Sequence, residues 1–465
     1  MPPGLGLGSG VTADPASGLF GISDPTKDFN FAQDQKSDSD LNSEDNIVFT
    51  RASTAMAVNS SGNLVEISSG EPRYDYDKDG DSLGLLIEEE STNHIAGGDF
   101  TTGWTAYESN GLDSGNTTTG PDGVSGSGKS INTQSGSGYQ MIYGSGNLHY
   151  STSGFDFLEK HCNSVFAKKG NVDYLRFGFL WAGDHQVGAS FNLNTGAIDN
   201  QTNCSASIQD YGNGWYRCII TDIVMPARTG GNASAYGNWW LSPSGSSSSD
   251  YVTQRDEGGA DKYVYVFGAQ MEGEQPAGPA VPIQKYPTSL IDVGSSGATR
   301  ATDTCTITTS NLGYNDTGTF LLEIRRDHAS TVLDDSGGTD HASYLTMKPS
   351  SGLKYIRVMC NDTQEIVTGD IAGGDTLSIV AGDDVAAKTP FKLAVAIAED
   401  DCGASLNGAT TVVDSAVDSG ANVFTTVHIG GEDDANDTGY IHGHVKRLRF
   451  WDSRLPNNQL EELSS

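Results

Sequence analysis

The feature that most restricts the fold is a series of short stretches in which apolar and polar residues alternate, separated by turns rich in Gly, Asn and Ser. Four of them span residues 163–168, 174–181, 187–192 and 214–220. Alternation with a period of two buries one face of a strand, and strands at this spacing are typical of sandwiches. Glycine, at 58 of 465 residues, and a charged fraction of 19% favour turn-rich β structure over helices. The sequence therefore predicts an all-β protein built from β-sandwiches.

The balance of charge bears on possible partners. The formal net charge is -33, from 60 acidic and 27 basic residues. A protein that grips phosphates needs basic surface, so we expect no nucleic-acid partner. The N-terminus lacks a basic segment followed by an apolar one, and no later apolar run approaches about 18 residues, so we expect neither a signal peptide nor membrane insertion.

The six cysteines are sparse and form no Cys-x-x-Cys pair, so neither a disulfide scaffold nor a zinc or redox site is indicated. Cys204 and Cys218 stand where adjacent strands could bring them together, and the sequence leaves their bridging open. A protein folded in a reducing cytosol keeps such thiols reduced.

Composition divides the chain into five parts. Residues 1–45 are rich in Gly, Ser, Asp and Pro and form either a disordered segment or an extended arm on a neighbour. Residues 46–92 read as a small β anchor module, 93–287 as one β-sandwich, 288–300 as a Gly- and Pro-flanked linker, and 301–465 as a second sandwich. The predicted fold is two jelly-roll β-sandwich domains preceded by an arm and an anchor.

Three blocks of the N-terminal region stand in order: "FTRAST" from Phe49, "EPRYDYD" from Glu71 and "LGLLIEEESTN" from Leu83. Their order resembles the opening module of bacteriophage structural proteins of the head spike or head fibre type. The phrase "PTSLIDVGSSGATRATD" from Pro287 resembles the junction that follows the first large domain of those proteins. This resemblance implies a virion protein with its modules in the order listed above.

Two further resemblances concern the larger domains. The phrases "FTTGWT", "VFAKKG", "SFNLNTG", "GNGWYRC" and "VYVFGAQMEGE" are similar to jelly rolls of the carbohydrate-binding-module type found in phage fibre proteins. The phrase "FKLAVAIAEDDCGASLNGA" and the final "GYIHGHVKRLRFWDSRLPNNQLEELS" look like a concanavalin A or laminin-G type sandwich. The lectin metal motif of that fold is not legible here.

Two groups of residues are candidates for contacts with partners. The sequence predicts that Phe29, Phe31, Phe49 and Arg51 anchor the chain to the virion, because spaced aromatic residues in a segment without a core of its own need a neighbour. Trp239 and Trp240 are adjacent, so on a strand they face opposite ways, and we expect one to be exposed. With Tyr236 and Asn238 they form a predicted glycan-binding patch, although packing on a sister subunit needs the same exposure.

Metal sites are only weakly indicated. Asp75, Asp77, Asp79 and Asp81 match the opening of an EF-hand loop that could hold Ca²⁺, but Leu86 stands where the bidentate Glu belongs, and a hairpin turn explains the run equally. His442 and His444 alternate on one predicted strand and suit metal ligation only if a third ligand faces them.

No catalytic motif is present, and no repeat of a depolymerase β-helix is visible, so the sequence predicts a protein without enzymatic activity. The predicted function is that of a phage virion structural protein, a capsid-attached head fibre or decoration protein. We expect it to bind capsid or other virion proteins, to assemble as a homo-oligomer, with a trimer favoured by analogy with fibres, and to contact host-surface glycans weakly. A tail fibre or receptor-binding protein is the alternative within the virion, and a glycan-active enzyme is the alternative from another class.

Overall fold

The structure is a computed structural model. It describes residues 21–95, 97–101, 104–107, 111–132, 141–144, 149–150, 161–181, 185–223, 235–244, 262–273, 286–291, 297–328, 342–350, 355–361, 364–370, 376–415, 424–431 and 439–465. Almost all regular structure in these residues is β-strand, in antiparallel sheets, which confirms the predicted all-β sandwich fold.

The N-terminal region contributes short strands and one helical turn. In order these are β1 (Lys27–Phe29), α1 (Asp38–Asp40) with a following π-helical turn (Leu41–Asp45), β2 (Ile47–Thr50), β3 (Ala55–Val58), β4 (Leu64–Ile67), β5 (Tyr74–Tyr76), β6 (Ser82–Ile87) and β7 (Ser91–Asn93).

The middle region forms the first sandwich. Its strands are β8 (Trp104–Tyr107), β9 (Gly111–Thr118), β10 (Gly128–Asn132), β11 (Met141–Gly144), β12 (His149–Tyr150), β13 (His161–Lys169), β14 (Tyr174–Trp181), β15 (His185–Asn192), β16 (Ala197–Thr202), β17 (Ser205–Asp210), β18 (Trp215–Thr221), β19 (Ala235–Ser244) and β20 (Tyr263–Gly273). One sheet runs β17-β18-β13-β20-β10-β9, and the other runs β16-β15-β14-β19-β11-β8 with β12 beside β19. The alternating residues Val165, Phe177, Val187 and Ile220 meet in the core between the sheets.

The C-terminal region supplies most of the second sandwich. Its elements are β21 (Ala298–Arg300), β22 (Thr304–Thr308), α2 (Thr309–Leu312), β23 (Gly318–Arg326), β24 (Ala342–Lys348), β25 (Tyr355–Cys360), β26 (Gln364–Asp370), β27 (Thr376–Asp383), β28 (Phe391–Ile397), β29 (Cys402–Leu406), β30 (Val412–Asp414), β31 (Thr426–Ile429), β32 (Gly443–Trp451) and α3 (Asn457–Ser464).

The N-terminal strands complete this second sandwich, which differs from the predicted separate anchor module at 46–92. One sheet runs β30-β29-β28-β23-β32-β6-β5 with β1 beside β32, and the other runs β2-β22-β31-β24-β25-β26-β27. The predicted arm also differs in part, because Phe29 pairs with Leu448 of the same chain; residues 1–20 lie outside the described residues. The physical reason is burial: short N-terminal strands carry apolar faces that only the C-terminal sheets can cover.

Strand β6 shows how tightly the two ends of the chain fit. Leu85 and Ile87 are fully buried in the core of the second sandwich. Gly84 has φ +100, and a Cβ there would lie 2.4 Å from the carbonyl O of Val445. Glycine is therefore required where β6 crosses β32.

The first sandwich is thus inserted between β6 and β22 of the second. Strands β7 and β21 pair with each other where the chain leaves and returns. All six cysteines are free thiols, and Cys218 lies opposite Ile208 and Val165 rather than Cys204. In the part of the chain that the structure describes, no helix has the length and apolar character needed to cross a membrane.

Candidate functional site

A cleft of about 310 Å³ lies where the two sandwiches meet, and it is the candidate site. The N-terminal region lines it with the hairpins β3–β4 and β5–β6. The first sandwich adds the end of β17 and the start of β18, and the connector adds residues 287–290. The second sandwich adds the end of β23. Side chains from regions far apart in the sequence therefore converge on one space. Most of them are charged or polar.

His444 ties three parts of the chain together beside the cleft. It lies on β32, opposite Leu86 of β6, and its side chain is 2% exposed. Its Nε2 lies 3.0 Å from Oδ2 of Asp75 on β5, and its Nδ1 lies 3.3 Å from Oδ2 of Asp327 after β23. Asp75 also accepts a hydrogen bond of 2.6 Å from the backbone N–H of Val58 on β3. The imidazole thus lies between the two carboxylates, within hydrogen-bond distance of Asp75 and next to Asp327.

Arg217, on β18, brings a buried guanidinium from the first sandwich to the same cleft. The residue is 2% exposed. Its Nη1 donates to the carbonyl O of Thr288 at 2.7 Å, and its Nε and Nη2 donate to Oγ of Ser164 at 3.2 and 3.0 Å. Its guanidinium carbon lies 5.4 Å from the centroid of the Phe166 ring. These partners are all neutral, and no carboxylate in the described ranges forms a salt bridge with Arg217.

A second cation, Lys388, faces the cleft from the second sandwich. Its backbone lies in the left-handed region at φ 61, and its N–H donates to the carbonyl O of Arg326 at 2.6 Å. Much of its surface is exposed, but the ammonium group is desolvated, which lowers the pKa of Lys388. The positive charges of Arg325 and Arg217 lower this pKa further, whereas Asp327 raises it. The cleft therefore gathers cations that repel one another.

The connector places an aromatic ring next to these cations. Tyr286 stacks on His328 with ring centroids 3.7 Å apart and packs edge-on against His442 at 5.1 Å. Burial lowers the pKa of His328 well below its usual range, and the nearby charges of His442, Lys388 and Arg217 act in the same direction. His328 therefore stays neutral at ordinary pH, when its ring serves as a packing surface.

A buried ion network locks the second sandwich to the start of the insertion. Arg73 pairs with Glu88 at 2.7 Å and with Asp303, and Arg51 pairs with Asp303 at 3.1 Å. Burial opposes the ionisation of Glu88, but Arg300 and Arg73 hold the pKa of Glu88 well below its usual range. Arg300 shares Glu88 as well, with its Nε 3.7 Å from Oε2, so three buried arginines are paired with two buried carboxylates.

Hydrogen bonds continue the junction into the first sandwich. Glu272 of β20 accepts hydrogen bonds from Ser91 Oγ at 2.7 Å and from the backbone N–H of Thr288 at 3.1 Å. Asn93 donates to the carbonyl O of Ala269 at 2.9 Å and accepts from the N–H of Met271 at 3.0 Å. The cleft walls are therefore fixed relative to each other before any ligand enters.

This junction accounts for the sequence blocks on which the phage resemblance rests. The first block supplies Arg51, the second Arg73 and the third Glu88, while the "PTSLID" phrase and its continuation supply Ser289 and Asp303. Oγ of Ser289 donates to Oε2 of Glu88 at 2.6 Å. These blocks encode how one sandwich is inserted into the other.

The residues predicted to anchor the chain to a virion are buried within it, which corrects that assignment. Phe29, Phe31 and Phe49 are 4%, 1% and 2% exposed in the core of the second sandwich. Arg51 is paired in the junction. The aromatic residues do need a partner surface, as the sequence predicts, but their own chain supplies it.

The predicted glycan-binding patch lies on β19, an inner strand of its sheet. The backbone pairs Trp239 with Phe179 and Trp240 with Gly178, and Tyr236 lies opposite His149. The side chains of Tyr236, Asn238, Trp239 and Trp240 lie outside the described residues, so the patch stays a prediction.

The structure does not gather the predicted calcium ligands, because the run forms the hairpin turn between β5 and β6. Asp75 is directed to His444, and Oδ1 of Asp77 accepts the backbone N–H groups of Asp79 and Asp81, both at 2.9 Å. The two histidines predicted as possible metal ligands separate likewise. His442 lies 3.5 Å from Glu89, on a backbone with φ 43, while His444 contacts the two aspartates.

One group that sequence reasoning missed brings Cys360, Glu365 and Asp384 together. Of the described residues, only this trio of potential ligands has its atoms within 4.8 Å of one another. Arg326 already occupies the centre, with Nη2 bonded to Asp384 and 3.4 Å from Oε1 of Glu365. The guanidinium supplies the positive charge that a metal would bring. No spacing in the sequence signals this trio, since Cys360 and Glu365 lie on neighbouring strands and Asp384 follows a third.

No family model and no curated protein matches this chain. Solved structures with a similar arrangement of strands include the CBM40 of the Ruminococcus gnavus IT-sialidase bound to α2,3-sialyllactose, with 12% identity and a TM-score of 0.27 over 34% of this chain and 86% of that one. A heptameric SAP-like pentraxin from Limulus polyphemus has 14% identity and a TM-score of 0.24, over 32% of this chain and 70% of its own. A Trypanosoma rangeli sialidase has 11% identity and a TM-score of 0.28, over 72% and 60%. Scores this low carry no conclusion about ligand or activity, and the sandwich fold follows from the chain's own sheets.

Proposed function

We propose that this chain is a non-enzymatic structural protein of a bacteriophage particle, of the head fibre or capsid decoration kind, and that it contacts host-surface glycans weakly through the cleft between its sandwiches. The assignment to a phage particle is supported by the resemblance of the N-terminal and connector blocks to head spike or head fibre proteins. The support for glycan contact is the cleft.

One observation carries the binding part of this proposal: the cleft is preformed. Its volume of about 310 Å³ suits one or two sugar rings, at the lower end of ordinary ligand pockets. The buried junction fixes its walls, so a ligand does not have to order them. Carboxylates, guanidinium groups and the tyrosines Tyr76 and Tyr211 line it, and these are groups that hydrogen-bond sugar hydroxyls.

The same geometry supports binding over hydrolysis. A glycosidase needs one carboxyl group as a free acid and a second as base or nucleophile. Asp75 and Asp327 flank the cleft, yet both face the single imidazole of His444, and Asp75 also accepts a backbone N–H. Asp75 is available only if its contacts with Val58 and His444 break, and Asp327 only if its contacts with His444 and Arg325 break.

Assembly into a homo-oligomer, with a trimer favoured, belongs to the same proposal. The second sandwich exposes Val380 at 42%, Val412 at 41% and Val413 at 50%. These valines lie on β27 and β30, the adjoining edge strands of the two sheets. Open edges with apolar side chains are natural contact surfaces for a sister subunit. Light scattering coupled to size-exclusion chromatography of the full chain measures the subunit number directly.

The glycan part is tested by incubating the full chain with purified host-surface polysaccharide and measuring two quantities, retention of the chain and release of reducing ends. We expect retention at micromolar to millimolar affinity, as weak multivalent contacts require, and no release. Release of reducing ends would replace the proposal with a glycan-active enzyme. Absence of retention would remove the glycan part.

The particle part is tested by peptide mass spectrometry and cryo-electron microscopy of purified particles. Hundreds of copies at capsid symmetry positions are the expected result. Copies in multiples of three or six at the tail alone would make the chain a tail fibre or receptor-binding protein. Absence from the particle would overturn the structural role.

A further inference from the structure

Within the cleft, two cations have no carboxylate of their own. Arg217 is bonded only to neutral groups, and Lys388 forms no salt bridge within 4 Å to any described carboxylate. For Arg217, which is 2% exposed, burial without a compensating opposite charge costs several kcal/mol, whereas Lys388 is an exposed residue with a partly desolvated ammonium group. Such an arrangement is unusual in a chain that carries a net charge of -33.

The other charged groups around the cleft are already paired. Asp327 faces both His444 and Arg325, with Oδ1 lying 3.2 Å from Nη2 of the arginine. Asp75 faces His444, and Glu88 belongs to the junction. Asp327 also attracts Lys388, but none of these three acids lies within salt-bridge distance of Lys388 or Arg217.

The remaining acids lie at the exposed turns that border the cleft. Asp77 accepts the N–H groups of its own hairpin turn, Asp79 pairs with Lys78 at 2.9 Å, and Asp210 accepts the N–H of Gly212 at 2.9 Å. These turns carry negative charge, so a long polyanion is repelled from the entrance. A ligand with one anionic group and otherwise neutral hydroxyls avoids that repulsion.

We propose that the cleft recognises the anionic substituent of an acidic glycan, a carboxylate on a terminal sugar, and that Arg217 and Lys388 bind it. The inference deepens the proposed function and rests on it. The guanidinium of Arg217 carries five N–H donors, and its protein contacts leave donors for a carboxylate oxygen. Lys388 supplies a second charge from the opposite sandwich.

The test compares two ligands that differ only in charge. The probes are an oligosaccharide that ends in a uronic acid and the same oligosaccharide after reduction of that carboxylate to an alcohol. Calorimetric titration of the full chain should show at least about tenfold tighter binding of the acidic form, as expected for a charged hydrogen bond. Raising the salt concentration should weaken only the acidic form.

Variants localise the effect. Lys388→Gln removes one charge at an exposed residue, so the fold should persist, and binding of the acidic form should fall about tenfold or more. The matched control Lys169→Gln removes the same charge from an exposed pair with Asp173 on the first sandwich, outside the cleft, and should leave binding unchanged.

The outcomes separate this inference from the function beneath it. Equal binding of the acidic and reduced probes, or an unchanged affinity in Lys388→Gln, overturns the anion site and leaves glycan binding in place. Loss of affinity in the Lys169→Gln control also overturns it, because the effect would then belong to net charge. If host polysaccharide is not retained either, the proposed function itself fails.

Discussion

Two groups of buried charge lie close together in this protein and are built in opposite ways. In the junction, Arg51 and Arg73 share Asp303, and Arg73 also holds Glu88. In the cleft wall, Arg217 is equally buried, but its contacts are with neutral groups: the Ser164 hydroxyl, the Thr288 carbonyl, the Phe166 ring and Tyr211. The arginines of the first arrangement pair with carboxylates, whereas no described carboxylate forms a salt bridge with Arg217.

The difference suggests how to distinguish charged residues that stabilise the fold from charged residues that bind a ligand. Removing one member of a salt-bridged network leaves its partners charged and buried, which is strongly destabilising. Removing a cation that has no carboxylate partner leaves no orphaned carboxylate, so the fold loses little while a ligand loses its partner. Stability and binding measurements on matched arginine variants can therefore break this comparison or sharpen it.

The largest effect is expected for Arg73→Met, which keeps the packing of the stem but removes the charge. Glu88 and Asp303 would then lie buried without this cation, and the free energy of unfolding should fall by about 3–5 kcal/mol. Denaturant unfolding measures it. The control Lys78→Ala, which removes an exposed pair with Asp79, should leave the midpoint unchanged. Equal midpoints for Arg73→Met and the parent protein would show that the junction does not hold the sandwiches together.

Lowering the pH should destabilise the same junction. The pKa of Glu88 is lower in the folded chain than the usual value of 4.5, so its contribution to stability is complete above about pH 4.5. That contribution is lost as the pH falls through the lowered pKa, because the proton neutralises the partner of Arg73. Unfolding curves between pH 7 and pH 3 should fall more steeply for the parent protein than for Glu88→Gln. Parallel curves would contradict this assignment.

An intermediate effect is expected at His444, which lies between Asp75 and Asp327 beside the cleft. His444→Ala removes its contacts with Asp75 and Asp327, although each aspartate keeps one other partner. We expect a loss of about 1–3 kcal/mol in the free energy of unfolding. Since Asp75 then no longer ties the hairpin to β32, affinity for the glycan probe should fall as well. Thermal unfolding and titration of the same sample test both, and weaker unfolding with unchanged affinity would place His444 outside the binding function.

Local patterns were enough to predict the strands of both sandwiches. Alternation at 174–181 and 318–325 corresponds to β14 and β23, because one face of each strand packs in a core. The sequence also indicated that the aspartate run 75–81 could form a hairpin turn, since Gly80 suits such a turn.

The insertion could not be predicted in the same way. Strand β1 has three residues, and its partner β32 lies more than 400 residues further along the chain. A segment that short carries no periodicity, and its aromatic residues show only that they need a partner. Whether that partner is another protein or the chain's own C-terminus depends on long-range pairing.

The cleft escaped sequence reasoning for a related reason. Arg217 stands in the phrase "GNGWYRC" with no neighbouring acid to mark it as part of a site, and Lys388 stands in a loop. Only the inserted topology brings them to one space. The sequence did contain one signal. Burying an isolated basic residue within an apolar strand costs free energy, so its presence there indicates a specific role.

The smallest stability effect is expected for Arg217→Met, and it tests the comparison most directly. The variant keeps the contact with the Phe166 ring but loses the hydrogen bonds to Ser164 and Thr288, so the free energy of unfolding should change by about 1 kcal/mol. Binding of the uronic acid probe should fall at least about tenfold, while the reduced probe should bind as before. If Arg217→Met instead unfolds as readily as Arg73→Met, the guanidinium is a structural member of the junction. The cleft would then have one cation fewer to offer a ligand, and the distinction between paired and unpaired cations would not predict function in this fold.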